Sequence, residues 1–334
     1  MRTDVFSENP ALHRYWYAVA RSVDIMPGPI GITLLGHHYV VYRSESGELT
    51  AADDRCPHRE ARLSLGSMVD GVIQCAYHGW CYDGTGRCVR VPSSEPSVPP
   101  PPKAQLALVH VTERYGLVWV CPGEPAEGIP DIVEDANPLF RRINSPVETW
   151  STSATRMVDN FVDISHFPWV HVGTFGRTQQ TLVPKIELEP LDDFFFGYHY
   201  EVQVNNPLSA AVTSGQTLKV LTRSMSSGFH LPFTVRSTIS YETGLEHILL
   251  LLSTPVDDVT AYFTFVVWRN DDFSVSAEDV IQFDRRIGAE DKAMLETVDG
   301  VLPLDTTSTV SVQADKPSVE WRRRFKALLE RPPL

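Results

Sequence analysis

Two cysteine–histidine pairs stand close together early in the chain: Cys56 and His58 in "RCPHRE", and Cys75 and His78 in "QCAYHGWC". One residue separates the first pair, two separate the second, and sixteen lie between His58 and Cys75. Thiolate and imidazole donors at such spacing bind soft or borderline metals. A structural zinc site pairs like with like, a Cys-x-x-Cys followed by a histidine pair. Mixed pairs suit a [2Fe–2S] cluster in which two cysteines hold one iron and two histidines the other. On that reading Cys56 and Cys75 take one iron and His58 and His78 the second. Pro57, Gly66, Gly71 and Gly79 permit tight turns nearby. Neutral imidazole ligands raise the potential of such a cluster, so it accepts an electron from a ferredoxin or a reductase. Cys81, Cys88 and Cys121 read as small buried thiols.

A second constellation, "RMVDNFVDISHFPWVHVGTFG" from Arg156 to Gly176, offers a place to use that electron. Asp159, Asp163 and His166 fall at i, i+4 and i+7, one face of a helix. Pro168 is expected to break the helix, which lets His171 aim at the same point as His166. Two histidines and one carboxylate with open positions make a non-haem Fe(II) site that activates O2. The third ligand must come from elsewhere. A helix opening at Ser276–Asp279 and running to about Val298 carries an apolar stripe of Val280, Phe283, Ile287, Met294 and Val298. Asp291 falls roughly 40° from Ile287, within that stripe, while Glu290 and Asp284 lie nearer its edges. A carboxylate facing a core needs a partner. On the residues alone, that partner is a metal or an Arg or Lys.

The Cys-x-His, sixteen-residue, Cys-x-x-His-Gly-Trp pattern resembles the cluster motif of the Rieske non-haem iron oxygenases. The respiratory Rieske proteins carry an extra disulfide cysteine in each loop, and none stands around Arg59 or Ala76. "DNFVDISHFPWVH" resembles the iron-binding segment of the oxygenase α-subunits, and "AEDKAMLE" (289–296) the segment with their third ligand. The resemblance implies that His166, His171 and Asp291 bind a mononuclear iron and that Asp163 bridges to a cluster histidine of a neighbouring subunit. It implies a head-to-tail homotrimer, with electrons passing from His78 of one subunit through Asp163 to His166 of the next. Asn160 matches a nearby family asparagine. Likeness is nearest to the saxitoxin-pathway hydroxylases, in "MVDNFVDISHFPWVH" and "VEWRRRFKALLE", and to the vanillate- and dicamba-type demethylases. It implies monohydroxylation of a C–H bond, with oxidative O- or N-demethylation as the alternative. A pure electron-transfer Rieske protein is disfavoured by the second constellation, and a zinc-structured binding module by the mixed pairs.

The elements that must position these residues follow from patterning. Tyr15 to Cys121 reads as short strands and turns, with a hairpin in "YDGTGRCVRV". "PSSEPSVPPPPK" is a stiff surface segment. "CPGEPAEGIPDI" marks a boundary near residue 125, so residues 1–125 form an all-β cluster domain and 126–334 the catalytic domain. A helix-like segment covers 153–167. Five strands between 183 and 269 build one large antiparallel sheet flanked by helices, an α+β plan. The resemblance makes it a helix-grip, START-like fold. The strands from Phe194 to Trp268 are rich in Phe, Leu and Val, so they would wall a pocket for a largely apolar small molecule. His37 and His38 read as surface and packing histidines. His230 and His247 are pocket or satisfied strand histidines.

The formal charge of −13 repels a phosphate backbone, which argues against nucleic acid. No stretch has the length of a membrane span and no signal peptide is evident. Five cysteines, an odd number, fit a reducing cytoplasm. No glycine-rich dinucleotide fingerprint follows a strand, so a ferredoxin or an NAD(P)H-dependent reductase has to supply the electrons.

Overall fold

The computed structural model describes residues 6–25, 28–44, 46–207, 214–271 and 273–331. Two compact units result: Ser7–Gly128, and Ile129–Leu334 together with Phe6.

The first unit is built of ten strands: β1 (Tyr17–Arg21), β2 (Ile30–Leu34), β3 (His37–Arg43), β4 (Leu49–Asp53), β5 (Ser67–Val69), β6 (Val72–Gln74), β7 (Cys81–Tyr82), β8 (Cys88–Arg90), β9 (Leu108–Arg114) and β10 (Leu117–Cys121). Six form one sheet in the order β1-β10-β9-β4-β3-β2, and four form another, β5-β6-β7-β8. β10, "LVWVC", is buried at every residue, as befits an unbroken apolar run. Leu35 and Gly36 both have positive φ, 52° and 76°, which makes the two-residue turn between β2 and β3. The Cys81–Tyr82 and Cys88–Arg90 strands pair across "DGTG", where the hairpin was expected.

In the second unit, β11 (Arg141–Asn144), β12 (Glu148–Trp150), β13 (Glu189–Pro190), β14 (Phe196–Asn205), β15 (Val220–His230), β16 (Thr234–Ser240), β17 (Glu246–Pro255) and β18 (Ala261–Arg269) form one antiparallel sheet. Its path is β11-β18-β17-β16-β15-β14-β13, with β12 also paired to β18. The five long strands are the expected ones. β11, β12 and β13 are additions, too short to carry a clear alternation. Among the described residues four α-helices complete the unit: α1 (Ala154–Phe161), α2 (Phe167–Val170), α3 (Ala277–Leu295) and α4 (Lys316–Leu329). α1 packs on β16 and β17 and touches both α3 and α4. Ser276 caps α3 by accepting from Asp279 N–H at 3.0 Å and donating to its carboxylate at 2.7 Å.

Two expectations for the helices are corrected. The segment 153–167 is not one helix: α1 ends at Phe161, and Asp163 lies in the turn beyond it. Asp163 Oδ1 accepts from Ser165 N–H and Oγ–H, and Oδ2 from His166 N–H at 3.0 Å. This local bonding competes with a continued helix and ends it. Pro168 therefore breaks nothing; it stands in the first turn of α2, where a missing N–H costs little. The stripe of α3 is also shorter than expected. Met294 and Val298 are exposed, while Asp284 and Asp291 are buried. None of the described helices is long and apolar enough to cross a membrane.

Candidate active site

The two cysteine–histidine pairs occupy two loops of the same construction, one after β4 and one after β6. In the first, Cys56 N–H donates to the Ala61 carbonyl at 2.9 Å and Glu60 N–H to the Cys56 carbonyl at 2.8 Å. In the second, Cys75 N–H donates to the Trp80 carbonyl and Gly79 N–H to the Cys75 carbonyl, both at 2.9 Å. The fifth residue of each loop has a positive φ, 60° at Glu60 and 70° at Gly79. The unequal Cys–His gaps are therefore two positions on one six-residue frame: His58 is third, His78 fourth.

Both thiols are buried and unbridged, whereas His78 is exposed. The His58 and His78 rings lie 4.5 Å apart between centroids. His58 also stacks on Trp80 at 4.4 Å, with planes 7° apart. Its Nδ1 is buried without a hydrogen-bond partner among the described residues. A buried ring nitrogen with no partner is costly, and a metal removes that cost. Burial pushes the Cys75 thiol pKa up, and the neighbouring Cys56 adds to the rise; a metal offsets this by favouring thiolate. The donor set thus fits a two-thiolate, two-imidazole cluster. Tyr82 approaches Cys56 Sγ at 3.2 Å, a contact that sequence reasoning missed because a tyrosine in a strand carries no such signal.

In the second unit, the turn between α1 and α2 turns His166 toward His171. Their Nε2 atoms face each other at 3.1 Å, and each lies 3.4 Å from Asp291 Oδ1 on α3. The rings are held from behind. His166 Nδ1 meets Asp163 Oδ2 at 2.9 Å, and His171 Nδ1 meets Glu290 Oε2 at 2.9 Å. With each Nδ1–H donated to a carboxylate, both Nε2 lone pairs point at one place, the arrangement of a histidine that ligates a metal. Burial works against charge on His166, but the Asp163 and Asp291 carboxylates outweigh it and raise its pKa to about 9. Burial dominates at His171 and lowers its pKa. The cluster of donors favours one positive charge among them, and a metal ion supplies it. His166, His171 and Asp291 have ligand atoms all within 4.8 Å of one another.

Asn160 Nδ2 donates to Asp291 Oδ1 at 3.0 Å, so Asn160 fixes the acid. Glu290 is the partner that sequence reasoning missed. It was placed at the edge of the α3 stripe, yet it takes hydrogen bonds from His171 and from Thr174 Oγ at 2.7 Å. Gly173 makes room for it, since a Cβ there would meet Glu290 Oε1 at 2.5 Å. Asp159 is not brought to this site. It accepts from Arg322 at 2.8 Å and from Ser318, both on α4, because the end of α1 separates its direction from that of Asp163. His247 is buried on the sheet: Nδ1 accepts from Arg269 Nη1 at 3.3 Å, and Nε2 lies 3.2 Å from Asp284 Oδ2 without hydrogen-bond geometry. His230 Nδ1 lies 3.1 Å from the Phe194 carbonyl. His38 contacts Thr33 and Arg62 in the first unit, and His37 packs on His13.

A cavity of about 110 Å³ opens beside the two histidines and Asp291. Leu249, Leu251, Phe263 and Phe265 from β17 and β18 line it, with Ile287 from α3. Arg223 and Asp284 also line it, two charges that the apolar strand pattern did not foretell. The arrangement can hold a metal with an open side toward an apolar substrate.

Residues 15–110 match the family described as "Rieske [2Fe-2S] domain" and residues 150–331 the "Vanillate O-demethylase oxygenase C-terminal domain". Methylxanthine N1-demethylase NdmA of Pseudomonas putida is 30% identical over 97% of this chain and 91% of its own. Methylxanthine N3-demethylase NdmB of the same organism is 31% identical over 90% and 83%. The solved structure of Pseudomonas putida CBB5 NdmA with caffeine superposes with a TM-score of 0.82 at 30% identity, covering 97% of this chain and 93% of that one. Dicamba monooxygenase bound to dicamba shares the fold, with a TM-score of 0.79 at 22% identity over 98% of both chains.

Proposed function

The chain belongs to the Rieske non-haem iron oxygenases, and from that premise we propose that it inserts oxygen into a C–H bond of a largely apolar small molecule. It is an oxidoreductase that uses O2 and carries a [2Fe–2S] cluster and a mononuclear iron. We assign the cluster to Cys56, His58, Cys75 and His78 of the 1–125 domain, and the mononuclear iron to His166, His171 and Asp291 of the 126–334 domain. The observation that carries the reading is the meeting of two Nε2 atoms and Asp291 Oδ1 at the wall of the cavity.

When bound, the cluster supplies electrons and the iron activates O2 for attack on a C–H bond. The chain's own residues set the geometry. Asp163 and Glu290 fix the two ring orientations, and Asn160 fixes Asp291. The leucine and phenylalanine walls exclude water and hold the substrate body against the site. Asp163 is also the bridge we assign between an exposed His78 of a neighbouring copy and His166, in a head-to-tail homotrimer. Electrons come from a ferredoxin or an NAD(P)H-dependent reductase.

The relatives matched over nearly the full chain favour a second reading, in which the attacked carbon is a methyl on nitrogen or oxygen. Hydroxylating such a methyl gives a hemiaminal or hemiacetal that releases formaldehyde. The deciding experiment has two parts. Iron, sulfide and zinc are counted on anaerobically purified protein, where about three irons and two sulfides per chain are expected. Oxygen uptake is then measured with a reductase over a panel of apolar and N- or O-methylated compounds, with formaldehyde assayed. Zinc without sulfide would sink the oxygenase assignment; formaldehyde in step with oxygen would select demethylation.

A further inference from the structure

Arg223 is a cation inside an apolar cavity. It lies on β15, 3% exposed, on the cavity-facing side it shares with Met225 two residues on. Among the described residues no carboxylate, carbonyl or hydroxyl accepts a hydrogen bond from its side chain, and its Nε is buried without a partner. What it has instead are aromatic faces: the guanidinium carbon lies 5.5 Å from the Phe175 ring centroid and 5.4 Å from that of Tyr241. These hold the guanidinium and stabilise its charge, but they leave its N–H donors unmet. The other charges of the cavity stand against other groups: Asp291 is shared by His166, His171 and Asn160, and Asp284 Oδ2 lies 3.2 Å from His247 Nε2, an approach without hydrogen-bond geometry. An arginine does not shed its proton, and a buried, unpaired charge is not kept by packing alone.

We propose that Arg223 is the substrate anchor, and that the substrate carries a carboxylate at one end of an otherwise apolar body. A guanidinium presents paired N–H groups in a fixed fork that a carboxylate matches with two parallel hydrogen bonds. This deepens the oxygenase reading, since it names the substrate class for the same cavity.

The test is isothermal titration of the iron-loaded enzyme with two probes of one shape, 4-methoxybenzoate and 4-methoxybenzamide. The benzoate is expected to bind roughly 10- to 100-fold more tightly, as hydrogen bonds to a charged group allow. The preference should vanish in Arg223→Gln and return in part in Arg223→Lys. Without probe, Arg223→Gln should unfold at the same temperature as the parent or higher, because it removes an unpaired buried charge; a purely structural arginine would leave it less stable. Equal binding of the two probes by the parent enzyme, binding of neither at millimolar concentration, or a preference that survives in Arg223→Gln would each overturn the proposal. Should Arg223→Gln not fold, the comparison in the parent and in Arg223→Lys still decides. Heat of binding does not depend on turnover, so a benzoate preference in iron-loaded enzyme that takes up no oxygen with a reductase would count against the proposed oxygenation while leaving Arg223 as an anion anchor.

Discussion

The two candidate metal-binding regions are built in opposite ways. The four residues we assign to the cluster come from two copies of one local loop, each closed by its own backbone hydrogen bonds. The His166–His171–Asp291 group is assembled across the fold: its third member, Asp291, stands 131 positions after Asn160, and Glu290 is 119 positions after His171. A local loop needs only its own residues to take shape. A dispersed site needs the sheet, the turn at Asp163 and the seating of α3 to be right together. The first should tolerate changes elsewhere, and the second should feel them.

The largest effect should come from breaking the dispersed site outright. His166→Ala is expected to abolish turnover and remove the mononuclear iron, while the visible spectrum of the cluster persists. Loss of both would show that the two sites are not separable. Asp163→Asn keeps the shape but removes the charge at the assigned bridge to His166, and we expect turnover to fall by about 100-fold with iron content unchanged. Full activity would remove Asp163 from its assigned role. Glu290→Gln should weaken iron binding by about 10- to 100-fold, read by competition with a chelator, with the cluster spectrum untouched. The smallest effects test whether the two cluster loops really are one frame. Glu60→Gly should raise stability by about 0.5–1 kcal/mol, because a non-glycine residue at φ 60° is strained. Gly79→Ala should lower it by about 1–2 kcal/mol, since its φ is 70° and a Cβ would meet Pro92 at 3.1 Å. Denaturant midpoints of the cluster-loaded protein measure both. Opposite signs support a shared frame, and equal signs argue against it.

The same contrast explains what could be read before the fold was known. Local patterns were legible: Cys56, His58, Cys75 and His78, the residues we assign to the cluster, stand out by type and spacing, and the five long strands by their apolar runs. His166 and His171 were legible as a pair, but the reason they meet was not. The expected cause was Pro168; the actual cause is Asp163, whose side chain satisfies the backbone of the turn. Helical periodicity placed Asp159 and Asp163 together, and the end of α1 at Phe161 separated them. Asp291 stood out as an acid within an apolar stripe. Glu290 did not, because a residue at the edge of a stripe can face solvent or a neighbouring loop, and only the position of His171 and Thr174 decides. Arg223 was hidden by its own strand, where "TLKVLTRSM" sets it in the middle of a polar run, Thr222 to Ser224, with nothing to mark the arginine as inward.

Glu290 and Asp291 are sequence neighbours on α3, so one turn of backbone carries both the acid facing the two Nε2 atoms and the acid behind His171. That turn cannot unwind without releasing both. Fraying of α3 at this point and loss of the histidine geometry are then a single cooperative opening. Amide hydrogen exchange along residues 288–295 becomes a clock for how often the histidine pocket comes apart, and a tightly held ion should slow it.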